Sequence, residues 1–196
     1  MGTGTTQGWT FNGWASNYKE TSGSMNAKEK ITESTTFYAT WKKPEKKYTI
    51  TFNANGGSGT VSSVSCTIPE VYNGATQATS CEVTLPGNQF TYSGWTFNGW
   101  GTSTTSTNGN QNGDKVTLTG NVTYYATWKK AAKTYSISFN KNGGTGTVSS
   151  VSCTIPEVYN GATQATSCEV TLPGNQFTYR GCNLHSDRYL QPSGRI

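Results

Sequence analysis

The chain is poor in the residues that most chemistry requires. It holds one histidine, His185, and only 13% charged residues in a length of 196. With a single histidine and no Cys-x-x-Cys spacing, a zinc site has no ligand set to draw on. No Ser-His-Asp arrangement stands out and no phosphate-cradling loop precedes a helix pattern. The acids Glu70, Glu82, Glu157 and Glu169 are isolated along the chain. Catalysis, a metal and any other cofactor are therefore not expected. No stretch nears the roughly 20 apolar residues of a membrane span, so membrane insertion is not expected either. Met1-Gly2 runs on without a signal-peptide core. The chain reads as an excised fragment, with any targeting signal or cell-wall anchor lying outside it.

What is present is a Gly-, Ser-, Thr- and Asn-rich composition with 12% aromatics, which suits strands and turns rather than long helices. The net charge of +5 raises nucleic-acid binding. However, the lysines gather at Lys42, Lys43, Lys46 and Lys47 and again at Lys129, Lys130 and Lys133, where they read as solvated linkers. A phosphate-tracking face would interleave basic residues with aromatics inside the fold, so nucleic acid is not an expected partner.

The chain also copies itself. Gly59 to Tyr92 recurs letter for letter as Gly146 to Tyr179, an offset of 87 residues. Tyr48-Thr-Ile-Thr-Phe-Asn with Gly56-Gly57 returns as Tyr135-Ser-Ile-Ser-Phe-Asn with Gly143-Gly144 at the same offset. A partial copy opens the chain: Gly8-Trp-Thr-Phe-Asn-Gly-Trp14 matches Gly94 to Trp100, and Tyr38-Ala-Thr-Trp-Lys-Lys43 matches Tyr125 to Lys130. An enzyme places unlike residues around one pocket, whereas an array multiplies one folded unit for length, stiffness or many weak contacts.

Within a copy, Tyr48 to Phe52 alternates apolar residues with threonine, the period of a half-buried strand, and Asn53 to Gly59 supplies a turn. Gly56 to Gly59 reads as that turn rather than as a nucleotide loop. Val61 to Ile68 and Cys81 to Leu85 read as two further strands with Asn73-Gly74 between them, a strong hairpin signal. A two-residue turn there sets Tyr72 opposite Ala75 and Cys66 opposite Cys81, at a separation a disulfide spans. Pro69 then falls opposite Ala78 at a site that needs no N–H. Disulfides Cys66–Cys81 and Cys153–Cys168 follow, each closing a 16-residue loop. In the chain-entropy model such a closure stabilises by about 3 kcal/mol. They point to an oxidising compartment; the alternative is pairs of buried free thiols in a cytosolic protein.

The copy closes with Trp95 to Trp100, a polar loop from Gly101 to Gly113, then Val116 to Leu118 and Val122 to Trp128. Strict alternation puts Trp95 and Phe97 on one face and Trp100 on the other. Core packing is the bland role for these aromatics. Trp100 with Asn108, Asn110 and Asn112 is the candidate glycan-contact set.

Residues 48 to 57, 94 to 100 and 123 to 129 together resemble one Listeria-Bacteroides repeat, the internalin B-repeat-like module of bacterial surface proteins. The resemblance implies a mainly β fold, α+β at most, of tandem small beta-grasp-like units in secreted or wall-attached proteins, often adhesins, with no catalytic residues. The cysteine-bearing hairpin reads as an insertion into that pattern. On the family's phase, 1–43 is the second half of a repeat, 44–47 a linker, 48–130 a complete repeat, 131–134 a linker and 135–180 the first half of a repeat. The tail 181–196 does not repeat, places Cys182 where Trp95 stands in the complete copy, and fits a cloning product, a frame change or a genuine terminus equally.

Two roles remain open: a passive stalk, or an adhesin that binds a host protein or glycan through repeated weak contacts. The incomplete half-units add the expectation of complementation within or between chains. Intact mass after thiol alkylation, with peptide mapping, checks the exported-protein reading. Bonds Cys66–Cys81 and Cys153–Cys168 with Cys182 free are expected, and five alkylated thiols without reduction would undo the hairpin pairing and leave the surface-protein reading resting on the family resemblance alone.

Overall fold

The structure is a computed structural model, which describes residues 8–179. Cys182, His185 and the rest of the unrepeated tail lie outside the described residues. The described chain contains strands and no helix. The first copy supplies β1 (Thr10–Ala15) and β2 (Tyr38–Lys43). The second supplies β3 (Lys46–Asn53), β4 (Val64–Ile68), β5 (Val71–Tyr72), β6 (Cys81–Thr84), β7 (Thr96–Gly101), β8 (Lys115–Leu118) and β9 (Val122–Lys130). The third supplies β10 (Lys133–Ile137), β11 (Val151–Ile155) and β12 (Val158–Tyr159). Two compact units result. Of the described residues, one unit holds 8–130 with 159–162, the other 131–158 with 163–179.

In the complete copy the sheet runs β4-β3-β9-β7. β3 pairs β4 antiparallel from Lys46↔Ile68 to Ile50↔Val64, and pairs β9 in parallel from Ile50↔Val122 to Asn53↔Tyr125. β7 lies antiparallel to the far half of β9, and β6 pairs β8 in a separate two-stranded sheet. The parallel β3·β9 pairing forces a long crossover, and the residues between those strands build the rest of the unit. Ile50, Leu85, Phe90, Trp100, Leu118, Tyr124, Ala126 and Trp128 form the core. The one buried polar side chain among them in sequence, Thr127, donates its hydroxyl to Gly99 O at 2.9 Å, so its burial is satisfied.

The alternation expected for β7 does not hold. Between Phe97↔Trp128 and Trp100↔Ala126 the strand carries one extra residue, a β-bulge, and Gly99 there has φ +117°. The extra residue moves Trp100 to the face of Phe97, with ring centroids 4.9 Å apart. β1 repeats the device at Gly13, φ +114°, where Phe11↔Trp41 is followed by Gly13↔Thr40.

The hairpin also differs from expectation. Asn73 and Gly74 do form the two-residue turn, with φ +47° and +85° and Ala75 N–H donating to Tyr72 O at 2.9 Å. The two arms do not pair with each other, however: β4 pairs β3 and β6 pairs β8. Cys66 stands opposite Tyr48. The disulfide to Cys81, Cα–Cα 5.9 Å, therefore ties strands of two different sheets. The longer apolar strand Tyr48-Ile50-Phe52 takes β4 for its own sheet, and residues 67–80 become a strap whose arms do not pair with each other. Lys46 and Lys47, expected in a linker, are already in β3 opposite Ile68 and Thr67.

In the second unit β10 pairs β11 from Lys133↔Ile155 to Ile137↔Val151, and Cys153–Cys168 repeats the 5.9 Å Cα separation. Tyr135 is 51% exposed there, whereas Tyr48, its equivalent, is half-buried and Ile50 beside it is fully buried.

The bulge gives a direct test. A Cβ on Gly99 would stand 2.5 Å from Gly109 O at a φ that L side chains rarely adopt. Gly99→Ala is expected to destabilise the complete copy by roughly 2–4 kcal/mol, at the large end for point substitutions, measured by denaturant unfolding with Trp fluorescence.

Candidate functional site

The Asn-Ala-Asn-Gly-Gly motif at 53–57 explains how the aromatics are seated. Asn55, at φ +47°, turns the chain, and its amide donates to Thr104 O and Ala126 O, each at 3.0 Å. The carbonyl of Ala54 accepts the Trp128 indole N–H at 2.8 Å. A Cβ on Gly57 would lie 2.8 Å from the Trp128 ring, so glycine here admits the indole. The glycine-rich run is a turn that holds Trp128.

Trp100 is 1% exposed and lies among Phe52, Phe97 and Phe90 at 4.6, 4.9 and 6.0 Å between centroids. Its indole N–H donates to Pro86 O at 3.0 Å. Its candidacy as a ligand platform is thereby corrected, since the bulge turns it inward and its polar edge is used. Asn108, Asn110 and Asn112 are exposed on the neighbouring loop. The backbone of Asn110 exchanges two hydrogen bonds with Trp100, at 2.8 and 3.1 Å, so the loop lies against the strand that carries the buried indole. Within the loop Gln111 Nε2 donates to Gly109 O at 2.9 Å, and Gln111 N–H to Asp114 Oδ2 at 2.7 Å. Much of the loop's polarity is spent on its own shape.

The sequence reading passed over a surface cluster. Tyr92 stacks on Trp95 at 5.5 Å with planes 19° apart, and Lys130 Nζ sits 4.7 Å from the Trp95 centroid. The first copy repeats the cation contact, Lys43 over Trp9 at 5.0 Å. The signal was present in the recurring Gly-Trp and Trp-Lys-Lys motifs, although alternation alone does not bring the two motifs together; the β7·β9 ladder does.

On the strap, the Tyr72 hydroxyl donates to the Glu70 carboxylate, and Lys42 Nζ lies 3.3 Å from Glu70. The bond to Tyr72, then that to Lys42, holds Glu70 below its ordinary 4.5, and the same bond to Glu70 raises Tyr72 above its ordinary 10.0. The contact's stabilisation is present at neutral pH. It is lost as pH falls through the lowered Glu70 value and as pH rises through the raised Tyr72 value. Burial raises Tyr124 in the core.

Among the described residues no group of three or more His, Cys, Asp or Glu side chains is placed to hold a metal, and no helix is long and apolar enough to cross a membrane. No curated protein and no solved structure matches the chain. The family model for the Listeria-Bacteroides repeat domain matches residues 48–127, which run from Tyr48 within β3 to Thr127 of β9. That match covers the core except Trp128, most of the two sheets of the complete copy and the disulfide-held strap, and repeats of this kind are found in bacterial surface proteins. Residues 48–127 are thus similar to the Listeria-Bacteroides repeat domain.

Proposed function

We propose that the chain is a stretch of an extracellular repeat array from a bacterial surface protein and serves there as a non-catalytic structural spacer. The observation that carries the spacer reading over an adhesin is the burial of Trp100, by which the core of the complete copy consumes the second tryptophan of the aromatic motif. The disulfides, present at the same place in two copies, support an oxidising location. A small unit of this size needs such a closure beside its modest core.

The adhesin alternative rests on Asn108, Asn110 and Asn112 alone. Beads carrying the chain at high density are expected to show no saturable binding to a glycan panel or to host matrix proteins. Saturable binding that the Asn108→Ala/Asn110→Ala/Asn112→Ala variant abolishes would replace the spacer with a contact array.

Self-association is a second reading, favoured by what the half-copies leave uncovered. Trp14, the equivalent of Trp100, is 52% exposed. In the third copy Phe139 and Phe177, the equivalents of Phe52 and Phe90 that pack on Trp100, line an open cleft of about 480 Å³. We infer that Trp14 of one molecule seats in that cleft of another, a head-to-tail contact. Sedimentation velocity is expected to show species heavier than 21.1 kDa as concentration rises, diminished in Trp14→Ala. A monomer throughout would end this reading.

A further inference from the structure

The chain passes from β2 in the first copy to β3 in the second through Pro44 and Glu45 alone. Across that joint the opposite strand does not stop. β5 pairs β2 at Lys42↔Tyr72 and Lys43↔Val71, and β4 pairs β3 from Lys46↔Ile68 onward. The register on the two sides of the joint is the same, three residues further along each strand, so residues 64–72 lie as one splint over the end of one copy and the start of the next.

Side chains fasten the splint at its tip and middle. Where the chain turns away, Asn73 N–H donates to Trp41 O at 2.9 Å and its Oδ1 accepts Trp41 N–H at 2.9 Å, which continues the ladder with a side-chain amide. Its Nδ2 donates to Glu20 O at 2.8 Å. Neither Pro44 nor Pro69 has an N–H to give the ladder. Gln77 Nε2 bonds both of their carbonyls, at 2.8 and 3.0 Å. At its base, the Cys66–Cys81 bond fixes the splint to β6 of its own copy.

The same fastenings occur 87 residues later. In the first unit Asn160 Oδ1 accepts Trp128 N–H at 2.9 Å, Asn160 N–H donates to Trp128 O at 3.0 Å, and Nδ2 donates to Ser106 O at 2.7 Å. In the second unit Gln164 Nε2 bonds Ala131 O and Pro156 O, each at 2.9 Å. Ala131 stands where the other linker has Pro44, and the bond persists. Every acceptor or donor that these Asn and Gln side chains meet is backbone, so their bonds do not depend on the neighbour's side chains; the exposed Lys42–Glu70 ion pair lies beside them.

We propose that the disulfide-closed strap is a locking element between consecutive copies. Its interaction surface is the Asn-Gly tip with Gln77, and its partner is the backbone edge at the end of the preceding copy's last strand. Residues 8–43 and 48–130 then tumble as one body, a property that neither the spacer nor the adhesin reading requires and that stands or falls apart from both.

The test is NMR on the full chain, combining backbone amide relaxation with hydrogen exchange. Wild type is expected to fit one rotational tensor over 8–130, with the Trp41 amide protected. In Asn73→Ala/Gln77→Ala, Trp41 exchange is expected to rise by at least about tenfold and the two segments to separate into two tensors. The Trp100 indole N–H resonance should stay in place to report an intact core. Asn73→Asp, which keeps the Oδ1 acceptor, should retain most of the Trp41 protection. Two tensors in wild type, or one tensor with unchanged Trp41 exchange in the double variant, would overturn the proposal. Loss of the Trp100 signal in both variants would also overturn it, because the strap would then belong to the fold of its own copy.

Discussion

The seat of Trp100 among Phe52, Phe90 and Phe97 sets the terms for the rest of the complete copy. An indole of that size can be fully buried in so small a unit only if its strand turns it inward, its N–H finds an acceptor and the loop beyond folds back against it. Gly99 supplies the first, Pro86 the second and Asn110 the third. Remove the extra residue at the bulge and the tryptophan faces solvent, leaving Phe52 and Phe97 without their common neighbour.

That core is modest, and the strap is where the fold compensates. β4 is drawn into the main sheet by the apolar side of β3, while β6 joins β8. Two sheets that share few ladder bonds are then held in register by one covalent link at Cys66–Cys81. The link restricts the unfolded chain and fixes which side of the molecule the Asn-Gly tip reaches.

Much of this could be read from residue order. The Tyr48 to Phe52 alternation and the turn at Asn73-Gly74 follow from local rules of period and turn chemistry, whereas the cysteine bond is present although the hairpin register used to reach it is not. The partner of each strand did not, because a hairpin register assumes that the arms face each other, and nothing local to residues 61–85 announces that Tyr48-Ile50-Phe52 competes for one of them. The facing of Trp100 was misread for a similar reason: a glycine in a strand signals a bulge only once the partner strand is known, and Trp128 and Ala126 lie almost thirty residues away. Lys46 and Lys47 were read as linker from their charge, although a strand with one solvated face accommodates them equally well.

The Asn and Gln side chains of the strap grip the neighbour through main-chain groups, at Trp41, Glu20 and Pro44 and again at Trp128, Ser106 and Ala131, beside the exposed Lys42–Glu70 ion pair. A fastening made to main-chain groups keeps its donors and acceptors when the genetic material encoding a copy is gained, deleted or exchanged. Unequal recombination between identical stretches such as Gly59 to Tyr92 and Gly146 to Tyr179 can therefore change the number of copies while every new junction is made from bonds the chain already contains.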